Sequence, residues 1–178
     1  KKLFRKKKIK SKLISIDVSD YSSLVKKVNN KYLRSKGNIE NISFAYKISK
    51  NLKISEKTII EGLKKFKGLP HRQEIVFSNK NLLCINDSKA TSFDACLQSL
   101  LNYNKIYWIV GGLPKKQDSF YFYNVKKKIV KAYIVGKDIS FFRKKLKNRI
   151  PFTISRNIKN AVNQIYSDIK LEENLEKT

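Results

Sequence analysis

The chain has 178 residues, with 40 Lys and Arg against 14 Asp and Glu, which gives a formal net charge of +26. Hydrophobic residues make up 41% of the sequence, enough to bury one full domain and a smaller piece, since single domains commonly run to about 100–200 residues. The longest uncharged apolar runs, such as Ile106–Leu113, are far shorter than the roughly 20 residues of a membrane span, and no signal-peptide pattern leads the sequence. We therefore expect a cytoplasmic protein without a membrane partner.

The positive charge is spread along the whole sequence. Lys residues run from Lys1 to Lys177 beside abundant Asn and Ile, a bias typical of AT-rich coding. Nucleic-acid-binding modules more often show an Arg-rich stripe or aromatic residues along a strand face. The composition disfavours a nucleic-acid partner, although Lys1–Lys12, in which eight of twelve residues are basic, keeps a basic binding module as the alternative class.

Cysteine and methionine usage add two expectations. Cys84 and Cys96 lie in apolar patterns without metal-ligand spacing or a neighbouring His, so we interpret both as buried, reduced thiols. The sequence contains no Met and starts at Lys1, which favours an internal part of a longer protein.

The first third of the chain predicts a strand followed by helices. Lys12–Val18 alternates like a short β-strand, and Tyr21–Val28 is ambiguous. A helix is predicted over Asn38–Lys50, and Ser55 is expected to cap a second helix with Thr58 at the capping-box position. The predicted buried faces are formed by Ile42, Ala45, Tyr46 and Ser49 in the first helix and by Ile59, Ile60, Leu63 and Phe66 in the second.

A domain boundary is predicted at Lys67–His71. Gly68 is expected to end the second helix, and Pro70 stiffens the exit. The predicted domains are residues 1–66 and 67–178.

Beyond the boundary, the pattern changes to strands that alternate with helices. Glu74–Phe77 and Leu82–Ile85 flank Ser78-Asn79-Lys80-Asn81, which predicts a β-hairpin. A helical face follows, formed by Phe93, Cys96, Leu97, Leu100 and Leu101. The further predicted elements are a strand at Ile106–Val110 buried on both sides, a helix at Ser119–Lys127, a strand at Val130–Val135, a helix at Ile139–Leu146, a strand at Phe152–Ile154 and a helix at Arg156–Ile169. The predicted fold is α/β, with a mostly parallel sheet covered by helices plus a β-hairpin.

Three polar clusters stand where apolar runs give way to turns. They are Gly68-Leu69-Pro70-His71-Arg72, Asn86-Asp87-Ser88-Lys89-Ala90-Thr91, and Gly111-Gly112-Leu113-Pro114-Lys115. Their side chains offer a planar fork of donors, a carboxylate, ammonium groups and hydroxyls: Arg72, Asp87, Lys89, Lys115, Ser88 and Thr91. Because ligands of open α/β sheets bind beyond the carboxyl ends of strands, we expect an anion-binding site here.

Each of these residues also has a structural interpretation. Arg72 could pair with Glu74, and Asp87 could be the N-cap of the following helix. His71, the only histidine, could form a turn or cap a helix instead of binding a ligand. Lys115 would be one of many lysines in this sequence if it did not follow the Gly-Gly-x-Pro pattern.

The three clusters in this order resemble the Mur ligase family, and within it the branch that adds D-glutamate. Upstream, Leu33–Asn41 is similar to the family segment Leu-x-Gly-x-His-Asn-x-x-Asn, although Ser35 and Gly37 stand where Gly and His are usual. The detailed resemblance covers about Leu33–Asp118. It implies an ATP- and Mg²⁺-dependent enzyme, monomeric when complete, that joins D-glutamate to UDP-N-acetylmuramoyl-L-alanine through an acyl phosphate.

The resemblance also implies which domains the chain contains and which role each candidate residue has. Residues 1–66 would be the end of the α/β central ATPase domain, and residues 67–178 most of the Rossmann-like C-terminal domain, which closes over the central one. Asn41 would contact the adenine, Arg72 the terminal phosphates and Asp87 the ribose. Lys89, Thr91 and Lys115 would hold D-glutamate or the transferring phosphate, with Lys89 and Lys115 in catalytic roles. His71 and Ser88 receive no firm role, and no metal ligand is assigned.

The departures from the family pattern limit what this chain is expected to do. It contains no Gly-rich segment ending in Gly-Lys-Thr or Gly-Lys-Ser, the backbone cradle for the phosphates of ATP. We therefore expect the isolated chain to be inactive, with most Mg²⁺ ligands outside it. The alternatives within enzymology are another amino-acid-adding Mur ligase or a relative of folylpolyglutamate synthase.

Overall fold

A computed structural model of the protein describes residues 14–33, 36–115 and 118–175. The chain divides into two compact units between Lys67 and Gly68. The basic stretch Lys1–Lys12 and the position of Ser35 lie outside the described residues. Among the described helices, none is long and apolar enough to cross a membrane.

The first unit is helical where the structure describes it. Its elements are 3-10 turns at Val18–Tyr21 and Lys31–Leu33 and the helices α1 (Ser22–Val28), α2 (Lys36–Asn51) and α3 (Glu56–Lys65). Leu24, Val28, Leu33 and Ile42 form the buried cluster that joins them. The hydroxyl of Ser55 accepts from the Thr58 amide at 3.2 Å, which confirms the predicted cap of α3. Both helices expected from the sequence are therefore present.

Three sequence predictions for this unit are wrong in part. The strand predicted at Lys12–Val18 is not formed over its described part: residues 14–17 pair with no other strand, and Val18 belongs to a 3-10 turn, which starts where the Asp17 carboxylate accepts from the amide of Ser19. Residues 12 and 13 lie outside the described residues. The buried face of α2 differs from the prediction, since Ala45 is exposed whereas Ser43 is buried and donates to the Ile39 carbonyl at 2.9 Å. Gly68 does not end α3, because Phe66 is already extended; Gly68 instead takes a φ of 83° in the following loop.

A β-hairpin opens the second unit, as the sequence predicts. Strands β1 (Glu74–Ser78) and β2 (Leu83–Asn86) pair antiparallel. The side chain of Asn79 accepts from the amides of Asn81 and Leu82 at 2.9 and 2.7 Å, which stabilises the connecting turn.

Three parallel strands form a second sheet, in the order β3-β4-β5. The strands are β3 (Ile106–Gly111), β4 (Ile129–Val135) and β5 (Phe152–Arg156), and the helices of this unit are α4 (Phe93–Leu101), α5 (Ile139–Leu146) and α6 (Ile158–Leu175). The α/β class, the parallel sheet and the hairpin are thus confirmed. Helix α5 has its predicted bounds, whereas α6 starts two residues later than predicted because Arg156, with a φ of 67°, still belongs to β5.

The main core lies on one face of this sheet. It is built from α4, β3, β4 and α5 together with the segment before β4, and its buried members include Phe93, Leu100, Val110, Phe120, Phe122, Val125, Ala132, Ile134, Phe142 and Leu146. Tyr133 alternates with Ala132 and Ile134 along β4 and therefore faces the other side, where its hydroxyl meets Asp168 of α6. The strand β3, expected to be buried on both sides, lies at an edge of the three-stranded sheet, and Val110 is its only fully buried residue.

The predicted helix at Ser119–Lys127 is not formed. Residues 118–122 are irregular, and only Lys126–Lys128 make a short 3-10 turn. Phe120 and Phe122 are buried, whereas Tyr121 and Tyr123 are 69% and 96% exposed. Phe120 stacks on Phe93 with ring centroids 4.6 Å apart. The segment is not helical because alternate aromatic residues enter the core, a period of two that a helix cannot provide.

Candidate functional site

The first two polar clusters meet at the base of the hairpin. The carbonyl of His71 accepts from the amide of Lys89 at 3.0 Å. The ring of His71 is hydrogen-bonded to the side-chain amide of Asn86 at 2.8 Å. The local backbone makes this possible, because His71 and Gln73 take left-handed φ values of 61° and 49° around the turn that Arg72 closes onto Leu69. Residues 15 or more positions apart in sequence thereby form one surface.

The Asp87 carboxylate stabilises this junction. Its Oδ1 accepts from the amide of Gln73 at 3.1 Å. It does not cap α4, as one interpretation of the sequence proposed; the N-cap is Ser92, whose hydroxyl accepts from the Ala95 amide at 3.3 Å. The second carboxylate oxygen of Asp87 has no hydrogen-bond partner among the described residues, so it can accept from a ligand hydroxyl.

Arg72 is exposed beside this junction. Within the described part of the chain, its guanidinium makes no ion pair or hydrogen bond. The alternative pairing with Glu74 is wrong, because Glu74 Oε2 instead accepts from the amide of His71 at 2.9 Å. His71 holds the turn together, and in the described residues it caps no helix. The fork of Arg72 remains available for an anion.

Glycine is required where the third cluster begins. A Cβ on Gly111 would overlap the carbonyl group of Val135, its partner in the neighbouring strand β4. Gly112 takes a φ of 111°, a conformation that residues with a side chain rarely adopt. The chain can therefore leave β3 closely packed against β4 and turn at once toward Lys115.

Asp118 connects this loop to the start of α4. Both of its carboxylate oxygens accept from the Phe93 amide at 3.0 Å, and its own amide donates to the carbonyl of Lys115 at 3.0 Å. Asp118 was not among the site residues proposed from the sequence. The sequence shows only that an acidic residue stands three positions after Lys115. That pattern is too common to distinguish Asp118 from other acidic residues.

The thiol of Cys96 lies on α4, the helix between the second and third clusters in sequence. Burial raises the pKa of Cys96 to about 12, with smaller contributions from the charges of Asp87 and Asp118. Cys84 and Cys96 are free and half-buried, which confirms reduced thiols but not full burial.

The remaining proposed site residues are exposed. Ser88, Lys89, Thr91 and Lys115 lie at the surface of the second unit, around α4. Asn41 is exposed on α2 of the first unit. The second unit thus brings the candidate side chains of its three clusters to the hairpin base and the segments next to α4.

No group of three or more His, Cys, Asp or Glu side chains that could hold a metal ion occurs in the described residues. Asp87 and Asp118 each have an oxygen engaged by a main-chain amide. These residues do not by themselves make up the oxygen cage that Mg²⁺ requires.

The chain is similar in sequence to several curated proteins of one name. The UDP-N-acetylmuramoylalanine–D-glutamate ligase of Rickettsia felis is 36% identical over 139 residues, which cover 78% of this chain and 31% of that protein. The enzyme of the same name from Rhizobium meliloti is 37% identical over 136 residues, or 76% of this chain and 29% of that protein. The one from Phenylobacterium zucineum is 38% identical over 133 residues, covering 75% and 28%. The chain is homologous to the D-glutamate-adding Mur ligases.

The homology covers part of these ligases only. The chain matches between 28% and 31% of the length of the three relatives. No protein-family model matches it. The resemblance to Mur ligases predicted from the ordered clusters is confirmed, and so is the association with ligases of peptidoglycan synthesis.

Proposed function

We propose that this chain contributes part of a ligase that uses ATP and Mg²⁺ to join D-glutamate to UDP-N-acetylmuramoyl-L-alanine. The observation that carries the proposal is 36% identity to a D-glutamate ligase over 78% of the chain. The convergence of Arg72, Asp87 and Lys89 at the hairpin base, with Lys115 fastened to the start of α4, supports it. Since ATP-dependent synthesis of a nucleotide-linked precursor is intracellular chemistry, the proposal agrees with the cytoplasmic location expected from composition.

The proposed reaction has two steps. The carboxylate of the alanyl group attacks the γ-phosphorus of ATP, so that ADP leaves and an acyl phosphate forms. The amine of D-glutamate then attacks the acyl carbon, phosphate leaves and an amide bond results. When bound, Mg²⁺ would neutralise phosphate charge; its ligands are proposed to lie mostly outside these 178 residues.

The nucleotide is assigned to the hairpin base. Arg72 is suited to the terminal phosphates because its exposed fork can make two parallel hydrogen bonds. Asp87 is suited to the ribose because one oxygen is fixed by Gln73 and the other can accept from a hydroxyl. Asn41, on the first unit, is proposed to contact the adenine, and His71 and Ser88 are proposed to shape the turn around these groups.

The amino acid or the transferring phosphate is assigned to Lys89, Thr91 and Lys115. A dianionic amino acid requires ammonium and hydroxyl donors, and charge that develops on a transferred phosphoryl group is stabilised by Lys or Arg. The main chain of Lys89 is hydrogen-bonded to His71 and that of Lys115 to Asp118. Both lysine side chains therefore extend from main-chain positions that are fixed.

Residues 1–66 and 67–178 are proposed to correspond to the end of the central ATP-binding domain and to most of the C-terminal domain. Because the chain covers only 31% of the length of the Rickettsia felis relative, we propose that it does not catalyse the reaction alone. Product formed above blank from ATP, Mg²⁺, D-glutamate and UDP-N-acetylmuramoyl-L-alanine would contradict that statement.

The amino-acid assignment can be tested by NMR titration of the 178-residue protein with D-glutamate. Lys115→Ala should weaken binding by about tenfold or more, the usual cost of losing a charge-assisted hydrogen bond. Lys144→Ala is the matched control, because Lys144 is also exposed on this unit and lies on α5, outside the three polar clusters. Equal loss in both variants would indicate that only net charge matters, and stronger binding of another amino acid would favour a different amino-acid-adding ligase.

A further inference from the structure

The loop that carries Lys115 is fastened to the N-terminus of α4 by one side chain. Both carboxylate oxygens of Asp118 accept from the amide of Phe93, the first residue of the helix, at 3.0 Å. This amide is among the N–H groups that a helix leaves without a partner of its own. A negative charge at that end also interacts favourably with the helix dipole. Asp118 therefore satisfies the start of α4 from another part of the chain.

The same residue fixes the backbone of the loop. Its amide donates to the carbonyl of Lys115 at 3.0 Å. Its carbonyl accepts from the ammonium group of Lys145, on α5, at 3.2 Å. Two residues further along, the carbonyl of Phe120 accepts from the guanidinium of Arg149, also at 3.2 Å. The loop is thus held along its second half, whereas Leu113, near Lys115, is 90% exposed.

Thr91 lies on the segment that leads into α4, on the Phe93 side of this contact. It lies two residues before Phe93 and next to Ser92, whose hydroxyl caps α4. Lys115 lies three residues before Asp118. The contact between Asp118 and Phe93 therefore links the two segments that present Thr91 and Lys115.

We propose that Asp118 is a positioning residue: it holds the Lys115 loop against the start of α4 so that Lys115 and Thr91 bind the same ligand. The carboxylate itself does not contact that ligand, since its oxygens face the Phe93 amide and a dicarboxylate would be repelled by it. The identity of the ligand as D-glutamate rests on the proposed function above. The inference that Asp118 holds the Lys115 loop against α4 does not depend on that identity.

The fastening is tested by amide hydrogen exchange in the 178-residue protein and its variants. Asp118→Ala should speed exchange of the Phe93 and Asp118 amides by about tenfold or more, as expected for the loss of a charge-assisted bond. Asp118→Asn keeps an acceptor oxygen and should restore most of the protection. Asp94→Ala is the matched control, because Asp94 is an exposed acidic residue in the first turn of α4 that does not contact the loop. Unchanged exchange in Asp118→Ala, or an equal change in Asp94→Ala, would overturn the inference.

The positioning role is tested by titrating the same variants with D-glutamate well below their unfolding temperatures. Asp118→Ala should weaken binding by about tenfold, Asp118→Asn by less, and Asp94→Ala by little. Wild-type affinity in folded Asp118→Ala would contradict the inference. Absence of binding by the wild-type chain would count against the proposed function instead, and the exchange measurement would then decide the role of Asp118.

Discussion

The side-chain amide of Asn30 donates to the main-chain carbonyl of Phe66 at 2.7 Å, across 36 positions of sequence. The same amide also donates to the Leu63 carbonyl at 2.8 Å. These carbonyls stand at the end of α3, where a helix leaves its last acceptors unpaired. One side chain thus completes a helix that is distant in sequence.

Asn30→Ala should therefore destabilise the first unit. The expected loss is about 1–3 kcal/mol, because half-buried carbonyls lose their donor and cannot all regain water. Chemical denaturation monitored at α3 measures it. Asn51→Ala, at an exposed position on α2, should change the stability by much less. Equal effects would mean that the bonds of Asn30 contribute nothing specific.

Gly111→Ala should destabilise the second unit strongly. A Cβ at this position would overlap the Val135 carbonyl, so β3 and β4 would have to separate locally. We expect a loss of about 2 kcal/mol or more, within the range of overpacking and strain effects.

Gly62→Ala should stabilise the protein instead, and it serves as the control for Gly111→Ala. Gly62 lies within α3, and an added Cβ would meet no atom within 4 Å. Since Ala favours a helix over Gly, the first unit should gain about 0.5–1 kcal/mol. Thermal unfolding of both variants compares them directly; destabilisation by Gly62→Ala would contradict the packing described for α3.

Acid should weaken the contact between β4 and α6. The Asp168 carboxylate accepts from Lys131 Nζ at 2.7 Å and from the Tyr133 hydroxyl. Burial by itself would raise the pKa of Asp168, but the two hydrogen bonds and the charge of Lys131 together leave it below its usual value. Because the folded-state pKa is depressed, the stabilisation is present above the unfolded pKa near 3.8 and is lost as the pH falls below it.

The substitution Asp168→Asn isolates that effect. It keeps the shape and removes the charge, so the stability difference from the wild type should be largest at neutral pH and should shrink below about pH 4. Urea unfolding between pH 3 and pH 7 provides the measurement. A difference that is constant across this range would show that the charge of Asp168 contributes nothing.

Cys96 should resist thiol reagents in the folded protein. Burial, with the charges of Asp87 and Asp118, raises its pKa to about 12, so at pH 8 only about one thiol in 10,000 is ionised. Alkylation followed by mass spectrometry should modify Cys96 only after denaturation. Cys96→Ser provides the assignment, and rapid labelling of Cys96 at pH 8 would contradict the burial described here.

The sequence predicted those parts of the fold whose signals are local. The hairpin follows from the turn residues at Asn79, the start of α3 from Ser55, and α5 from its helical spacing. The segment around Phe120 was predicted incorrectly because its conformation depends on where Phe93 places a ring, which periodicity does not contain. Asp17 shows the same limit at short range, since a side-chain hydrogen bond replaces the alternating pattern.

The candidate site, too, could be predicted from the sequence only in part. The order of the clusters identified the residue types, whereas the bond from Asp87 to Gln73 and that from Asp118 to Phe93 span 14 and 25 positions. Such contacts depend on the folded path of the chain. They replace the alternative role of Asp87 as a helix cap by a bond to Gln73, and they add Asp118.

The hairpin and the three-stranded sheet are separate hydrogen-bonded sheets. The groups near β1 and β2 are therefore not held in register with those after β3 by strand pairing. Helix α4 follows one and precedes the other, and Leu100 anchors it in the core. A small tilt of this helix would alter the spacing between Arg72 and Lys115 without breaking the hydrogen bonds within the hairpin base. Core substitutions such as Leu100→Ala would therefore act on the fit of a two-part ligand.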